Sequence, residues 1–321
     1  MRSCLRCVAV LALVALMALA GCVDEPGAGR APIEDRRVVV TATTNIVADL
    51  VREIGGDRVD VRGLMRPGID PHGYKASAGD VRRLGRADLI VWNGLELEGK
   101  MGDVFEELGR TIPAVAVAEA IPEARLIASP EFASRFDPHV WNDPGNWALA
   151  GTALAEALAK VDPAHATEYR ARAAAYARRL AALRDEITRD LAVIPARARV
   201  LVTSHDAFAY LGRTFGFEVA GIQGVSTAGE ATTADIERIA RLVADRGLSA
   251  VFVESSVPRQ TVDAVLAAAA SRGQRARVGG QLYSDSAGDE GTPEGTYIGM
   301  MRANVRTIVA GLAPGAGATA R

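Results

Sequence analysis

The stretch PAHATEYRARAAAYARRLAALRDEITRDLAVI (residues 163–194) runs for 32 residues without glycine or an internal proline. Asp162 can cap a helix here, Pro163 suits its first turn, and Pro195 stops the pattern. Tyr169, Ala173, Tyr176, Leu180, Leu183, Ile187 and Leu191 recur every three or four residues and form one apolar stripe. A single helix of that length would span about 48 Å. It would suit a strut shared by two halves better than a helix covering one sheet. The alternative is two helices broken within Arg184–Arg189.

The sequence on either side of this stretch alternates β-branched runs with amphipathic ones. Before it, Val38–Val40, Val59–Val61, Leu89–Val91 and Ala114–Val117 are strand candidates, with helical patterns near 46–54, 77–87 and 101–110. After it, Val200–Val202, Phe217–Val219, Ala250–Val253 and Ala276–Val278 alternate with patterns near 206–214, 233–246 and 258–272. Strand–helix alternation predicts parallel sheets covered by helices. The expected fold is therefore α/β: two lobes, 37–162 and 195–313, bridged by the helix 163–194, with a short unstructured tail at 314–321.

The first residues do not belong to that fold. Arg2 and Arg6 precede an apolar run of 13 residues, Val8–Ala20. That is short for a membrane span and right for the core of a signal peptide. The run ends in Leu19-Ala20-Gly21-Cys22, which resembles a bacterial lipobox. That resemblance implies cleavage after residue 21 and lipidation of Cys22. Cys4 and Cys7 would be discarded with the leader, so their C-x-x-C spacing carries no redox or zinc reading. Residues 22–36, rich in Pro, Gly and charge, read as a flexible tether. The formal charge of −2, from 37 basic and 39 acidic residues, gives no basic excess for nucleic acid. It becomes −4 once Arg2 and Arg6 are removed.

The chain has only four histidines. His72 lies in Asp70-Pro71-His72-Gly73-Tyr74, His139 in Asp137-Pro138-His139-Val140-Trp141, and His205 in Ser204-His205-Asp206. All three fall in expected loops at strand ends or before helices, where open α/β sheets bind ligands. One alone would ordinarily be structural. Together, two of them following a rigid Asp-Pro, they point to a divalent metal, with Asp285 in Leu282-Tyr283-Ser284-Asp285-Ser286 as the best carboxylate. The intervals of 67, 66 and 80 residues exclude a local finger, so the site must form between the lobes, two ligands from each. His165, one turn into the long helix with nothing obvious to pair with, reads as a solvated residue.

Several motifs now resemble a known family: LMRPGIDPHGYKASAGDVRRLGRADLIVWNGLELEGKM (64–101), FDPHVWNDPGNW (136–147), TSHDAFAYLGRTFGF (203–217), GIQGVSTAGEAT (221–232), VFVESSV (251–257) and GGQLYSDSAGDEGTPEGTYIGMMRANV (279–305). In this order, over about residues 38–312, they closely resemble the metal-binding lipoproteins of bacterial ABC importers for manganese and zinc, the cluster A-I or TroA-like family. The resemblance implies two α/β lobes on one long helix, with His72, His139, His205 and Asp285 as ligands of one ion in the cleft. It implies capture of Zn²⁺ or Mn²⁺, with Fe²⁺ a lesser possibility, and delivery to a separate permease and ATPase. The chain itself has no P-loop. The protein would be a monomer held by lipid on the outer face of the cytoplasmic membrane.

Two departures bear on the metal. Residues 94–136 contain no histidine, so the His-rich loop of many zinc members is missing. His205 stands where many manganese members have Glu, and imidazole suits Zn²⁺ better than a hard oxygen does. Two rival functions are a zinc hydrolase and a surface adhesin. No H-E-x-x-H occurs, and four protein ligands would close the open position that catalytic zinc keeps. Glu254 or Glu230 could in principle act as a base, but Glu254 is better placed behind a ligand imidazole. No motif points to an adhesin partner.

Overall fold

The computed structural model describes residues 31–129 and 135–313. The leader, Cys22 and the tail at 314–321 lie outside the described residues. In the first lobe, β1 (Val38–Ala42), α1 (Asn45–Gly55), β2 (Val59–Gly63), α2 (Ala78–Leu84), β3 (Leu89–Trp92), α3 (Gly102–Gly109) and β4 (Ala114–Ala116) follow one another. Their strands form one parallel sheet in the order β2-β1-β3-β4. β1 is buried along its whole length, as a central parallel strand should be.

Two long helices come next, α4 (Pro144–Val161) and α5 (Ala166–Leu191), joined by a tight turn at Pro163–His165. α5 is the expected strut, unbroken through Arg184–Arg189, and all seven residues of its stripe are buried. At 26 residues it is about 39 Å long. It packs on α4, on α1 of the first lobe and on the last helix of the second. The second lobe holds β5 (Val200–His205), α6 (Ala209–Phe215), β6 (Glu218–Gln223), α7 (Thr233–Asp245), β7 (Ala250–Glu254), α8 (Gln260–Ser271), β8 (Arg277–Leu282) and α9 (Tyr297–Leu312). β5 pairs with β6 and β7 with β8, both parallel, and β5 and β7 lie side by side. Val200, Val202, Ile222, Ile239, Val243, Val251, Val262 and Val265 fill this lobe's core.

Two helices, α4 and α9, were not anticipated. Each buries one stripe, but the exposed line opposite is narrow: Thr152, Glu156 and Lys160 on α4, and Arg302, Arg306 and Ala310 on α9. On α4 it is flanked by apolar Ala148, Leu149, Ala153 and Ala157, which blurs the contrast that periodicity detects. In α4, Trp147, Ala150, Gly151, Leu154, Ala155 and Leu158 are buried, and Gly151 faces Leu50, Ile54 and Tyr176. His165 corrects an expectation. It sits in the turn before α5, not inside that helix, and its Nδ1 is 3.0 Å from Asp162. Buried Asp162 also accepts from the Tyr169 hydroxyl and the Arg58 guanidinium, so a carboxylate expected only to cap is a hub for three side chains.

The buried carboxylate of Asp49 on α1 accepts the backbone N–H of Tyr297 at 2.8 Å, satisfying an otherwise unpaired donor at the start of α9. Burial is the main cause that lifts Asp49 to about 6 from 3.8. The folded state therefore binds this proton more tightly than the unfolded chain. Stability from this group falls as pH rises from about 4 to about 6, and above that the ionised form costs on the order of 3 kcal/mol. Asp49→Asn keeps an acceptor for Tyr297. It is expected to raise the melting temperature at pH 7.5 and to lose that advantage below pH 4, as thermal melts across pH would show.

Candidate metal centre

Three of the four histidines and Asp285 converge. His72 and His139 come from loops of the first lobe, His205 from the last residue of β5, and Asp285 from the loop after β8. All four are buried, with one ligand atom of each within 4.8 Å of the others. The Nε2 atoms of His72 and His139 are 3.2 Å apart, and those of His139 and His205 are 3.3 Å apart. The Asp285 oxygens are 3.3 Å from His139 and His205 and 3.8 Å from His72. A tetrahedron with ligands about 2.0 Å from its centre has edges of about 3.3 Å. Neither Asp285 oxygen has an aligned hydrogen-bond donor, although both are buried. Three imidazole nitrogens and a carboxylate around one point can hold one divalent cation.

Each loop is built by local chemistry. In both Asp-Pro-His sequences the aspartate turns back on the chain. Asp70 Oδ1 accepts the N–H of His72 at 2.9 Å, and Asp137 Oδ1 accepts that of His139 at 2.8 Å. These are Asx turns, in which the aspartate as well as the proline fixes the direction of the histidine. The loop of His72 then runs into α2, where Ser77 and Asp80 form a capping box and the Tyr74 hydroxyl donates to Asp80. The loop of His139 is held by Tyr210, whose hydroxyl donates to Asp137 O, and by Asn142, which donates to Ala207 O. His205 and Glu254 close β5 and β7, placing the second lobe's contribution at the carboxyl ends of its strands.

Carboxylates stand behind two of the imidazoles. Asp137 Oδ1 is 2.7 Å from Nδ1 of His139, and Glu254 Oε2 is 2.5 Å from Nδ1 of His205. Nδ1–H donated backwards leaves Nε2 facing the centre. Glu254 also accepts the His205 backbone N–H at 2.8 Å, so it stands where the sequence placed it. Asp137 was not foreseen as a partner, although its position two residues before a histidine was a usable signal. Glu230 is exposed on the rim of a cavity of about 320 Å³ that also takes in Asp70 and Thr227, and is not part of the cluster.

These contacts set the charges. Burial is the main cause that depresses His72, to about 3. Burial would also lower His139, but Asp137 and Asp285 outweigh it and raise it to about 9. His205 is raised well above its usual value because Glu254 and Asp285 outweigh burial in the same way. Burial would raise Asp285, but the two charged imidazoles hold it well below the usual carboxylate range.

Comparison with known proteins decides the family. The family described as "Zinc-uptake complex component A periplasmic" matches residues 40–311. The chain belongs to this family. It is 46% identical over 301 residues to the zinc-binding protein TroA of Treponema pallidum, covering 94% of this chain and 97% of that one. It is 44% identical over 300 residues to the manganese-binding lipoprotein MntA of Bacillus subtilis, with the same coverage of 94% and 97%. The solved structure of the Treponema protein superposes with a TM-score of 0.83 at 46% identity, covering 86% of this chain and 99% of that one. The parallel-sheet lobes and long helix found here therefore share their fold with that solved structure.

Proposed function

We propose that this protein is an extracytoplasmic binding protein that captures one Zn²⁺ or Mn²⁺ and hands it to an ABC importer. His72, His139, His205 and Asp285 are the proposed ligands, and their convergence in a buried cluster within a zinc-uptake family carries the reading. The metal is cargo, not a catalytic cofactor. Four protein ligands leave no open position for a reacting water, so the protein is not read as an enzyme. Names of relatives support both metals, one zinc-binding and one manganese-binding. The lipobox-like end of the leader supports anchoring at Cys22, with residues 22–36 as tether, 37–162 and 195–313 as the lobes, and 163–194 as the linking segment. Among the described residues no helix is long and apolar enough to cross a membrane. A separate permease and ATPase would supply the passage and the energy.

Elemental analysis of protein purified without added metal tests this reading. About one equivalent of Zn or Mn is expected, removable by chelator, and metal-free protein that takes up none would overturn it. Glu254→Gln is expected to weaken binding by about 10–100-fold, because the amide presents a weaker acceptor to the His205 ring. Competition with a fluorescent chelator measures the change, and an unaltered Kd would show that the ring needs no carboxylate behind it.

A further inference from the structure

Asp285 is held differently from the histidines. His139 and His205 each have a carboxylate behind the ring, whereas no donor is aligned on either oxygen of Asp285. Its position depends on the backbone on either side. Two residues before it, the Asn304 side chain grips the peptide of Tyr283. Tyr283 N donates to Asn304 Oδ1 at 2.8 Å, and Asn304 Nδ2 donates to Tyr283 O at 2.7 Å. Two residues after it, Asn45 grips Ala287 in the same way. Ala287 N donates to Asn45 Oδ1 at 3.0 Å, and Asn45 Nδ2 donates to Ala287 O at 2.9 Å. A carboxamide is the side chain that offers a donor and an acceptor side by side, as a neighbouring strand would.

The two asparagines come from different places. Asn304 is on α9, in the same lobe as Asp285, and Asn45 begins α1 of the first lobe. Asn45 therefore reaches across the cleft. The same segment is caught from the first lobe twice more: Gly68 N donates to Ser286 Oγ at 2.8 Å, and Trp141 Nε1 donates to Ser284 O at 3.0 Å. We propose that Asn45 is a positioning residue for metal capture: its carboxamide, gripping Ala287 across the cleft, sets the place of the Asp285 carboxylate. The inference rests on the reading of Asp285 as a ligand. It makes the carboxylate's position depend in part on the lobes being closed: separating them pulls Asn45 from Ala287, while Asn304 keeps Tyr283 and Ser255 and Ser256 keep Ser286 O and Ser284 Oγ within their own lobe.

Asn45→Asp tests the grip with little change in size. It retains acceptors but has no N–H₂, and it sets a charge against Ala287 O and Gly288 O, which Asn45 now faces. Zn²⁺ affinity measured by chelator competition is expected to fall about 10–100-fold, chiefly through faster release in stopped-flow. Asn45→Ala should behave alike. Val243→Ala, deep in the second lobe's core, serves as a destabilised control that should bind and release Zn²⁺ as the wild type does. In an Asp285→Ala background the Asn45 substitution should cost nothing further, because it acts through that carboxylate. Wild-type affinity and release in both Asn45 variants would overturn the proposal. So would an equal loss in Val243→Ala, or a full additive loss on top of Asp285→Ala. A wild-type protein that takes no Zn²⁺ at all would instead overturn the functional reading beneath it.

Discussion

Asp285→Ala is expected to lower metal affinity by at least a thousandfold, about 4 kcal/mol. Among the described residues Asp285 is the one carboxylate in the cluster; Asp137 and Glu254 are occupied with the far sides of the imidazoles. Without it, a dication would enter a buried pocket of neutral rings with no charge at contact distance to compensate its lost hydration, and burying uncompensated charge is costly. A water could fill the vacated position but brings no charge. Asp285→Asn would keep an oxygen and the shape, so it separates charge from geometry and should recover only part of the loss. Isothermal titration with Zn²⁺ and Mn²⁺ checks both variants. Affinity within tenfold of wild type in Asp285→Ala would remove the carboxylate from the ligand set.

Much of this was legible in the sequence because the decisive features are local. The stripe from Tyr169 to Leu191 needs only helical periodicity, and the structure buries all seven of its members. The loops of the clustered histidines are marked by their own turn chemistry, Asp-Pro-His twice and a strand-ending His205. The helices α4 and α9 were harder to read, since their exposed lines are only one residue per turn wide and α4 is rich in alanine, so the contrast between faces is weak. His165 was misread for a related reason. Its partner Asp162 lies only three residues away, but the turn at Pro163 that folds one onto the other is not visible as a period. Contacts between distant segments, such as Asn45 with Ala287 or Asp49 with Tyr297, leave no pattern in a single chain. They depend on how the helices dock. The four residues that cluster could therefore be read from the sequence, and the way the cluster is braced could not.

That bracing predicts how capture responds to pH. With burial outweighed by Asp137 and Asp285, His139 titrates at about 9, and His205 is raised well above its usual value by Glu254 and Asp285. At pH 7 the metal-free site is therefore expected to hold at least one proton on this pair of rings, whose Nε2 atoms lie 3.3 Å apart. A metal needs the Nε2 lone pairs, so binding must expel any proton held there. Each proton expelled makes affinity tenfold tighter per unit rise in pH. Because the groups touch, they titrate as a unit, and the slope of log affinity against pH should lie between about one and two. His72, depressed to about 3, adds nothing to this slope near neutrality. Exposed histidines would stop responding once pH passed about 7, near their ordinary value of 6.5. Here affinity should keep rising towards pH 9. Titration calorimetry of Zn²⁺ in buffers with different heats of ionisation counts the protons directly. Between one and two released per ion at pH 7 is the expected result. A count of zero would mean that the rings are already neutral, and that Asp137 and Glu254 orient them without charging them.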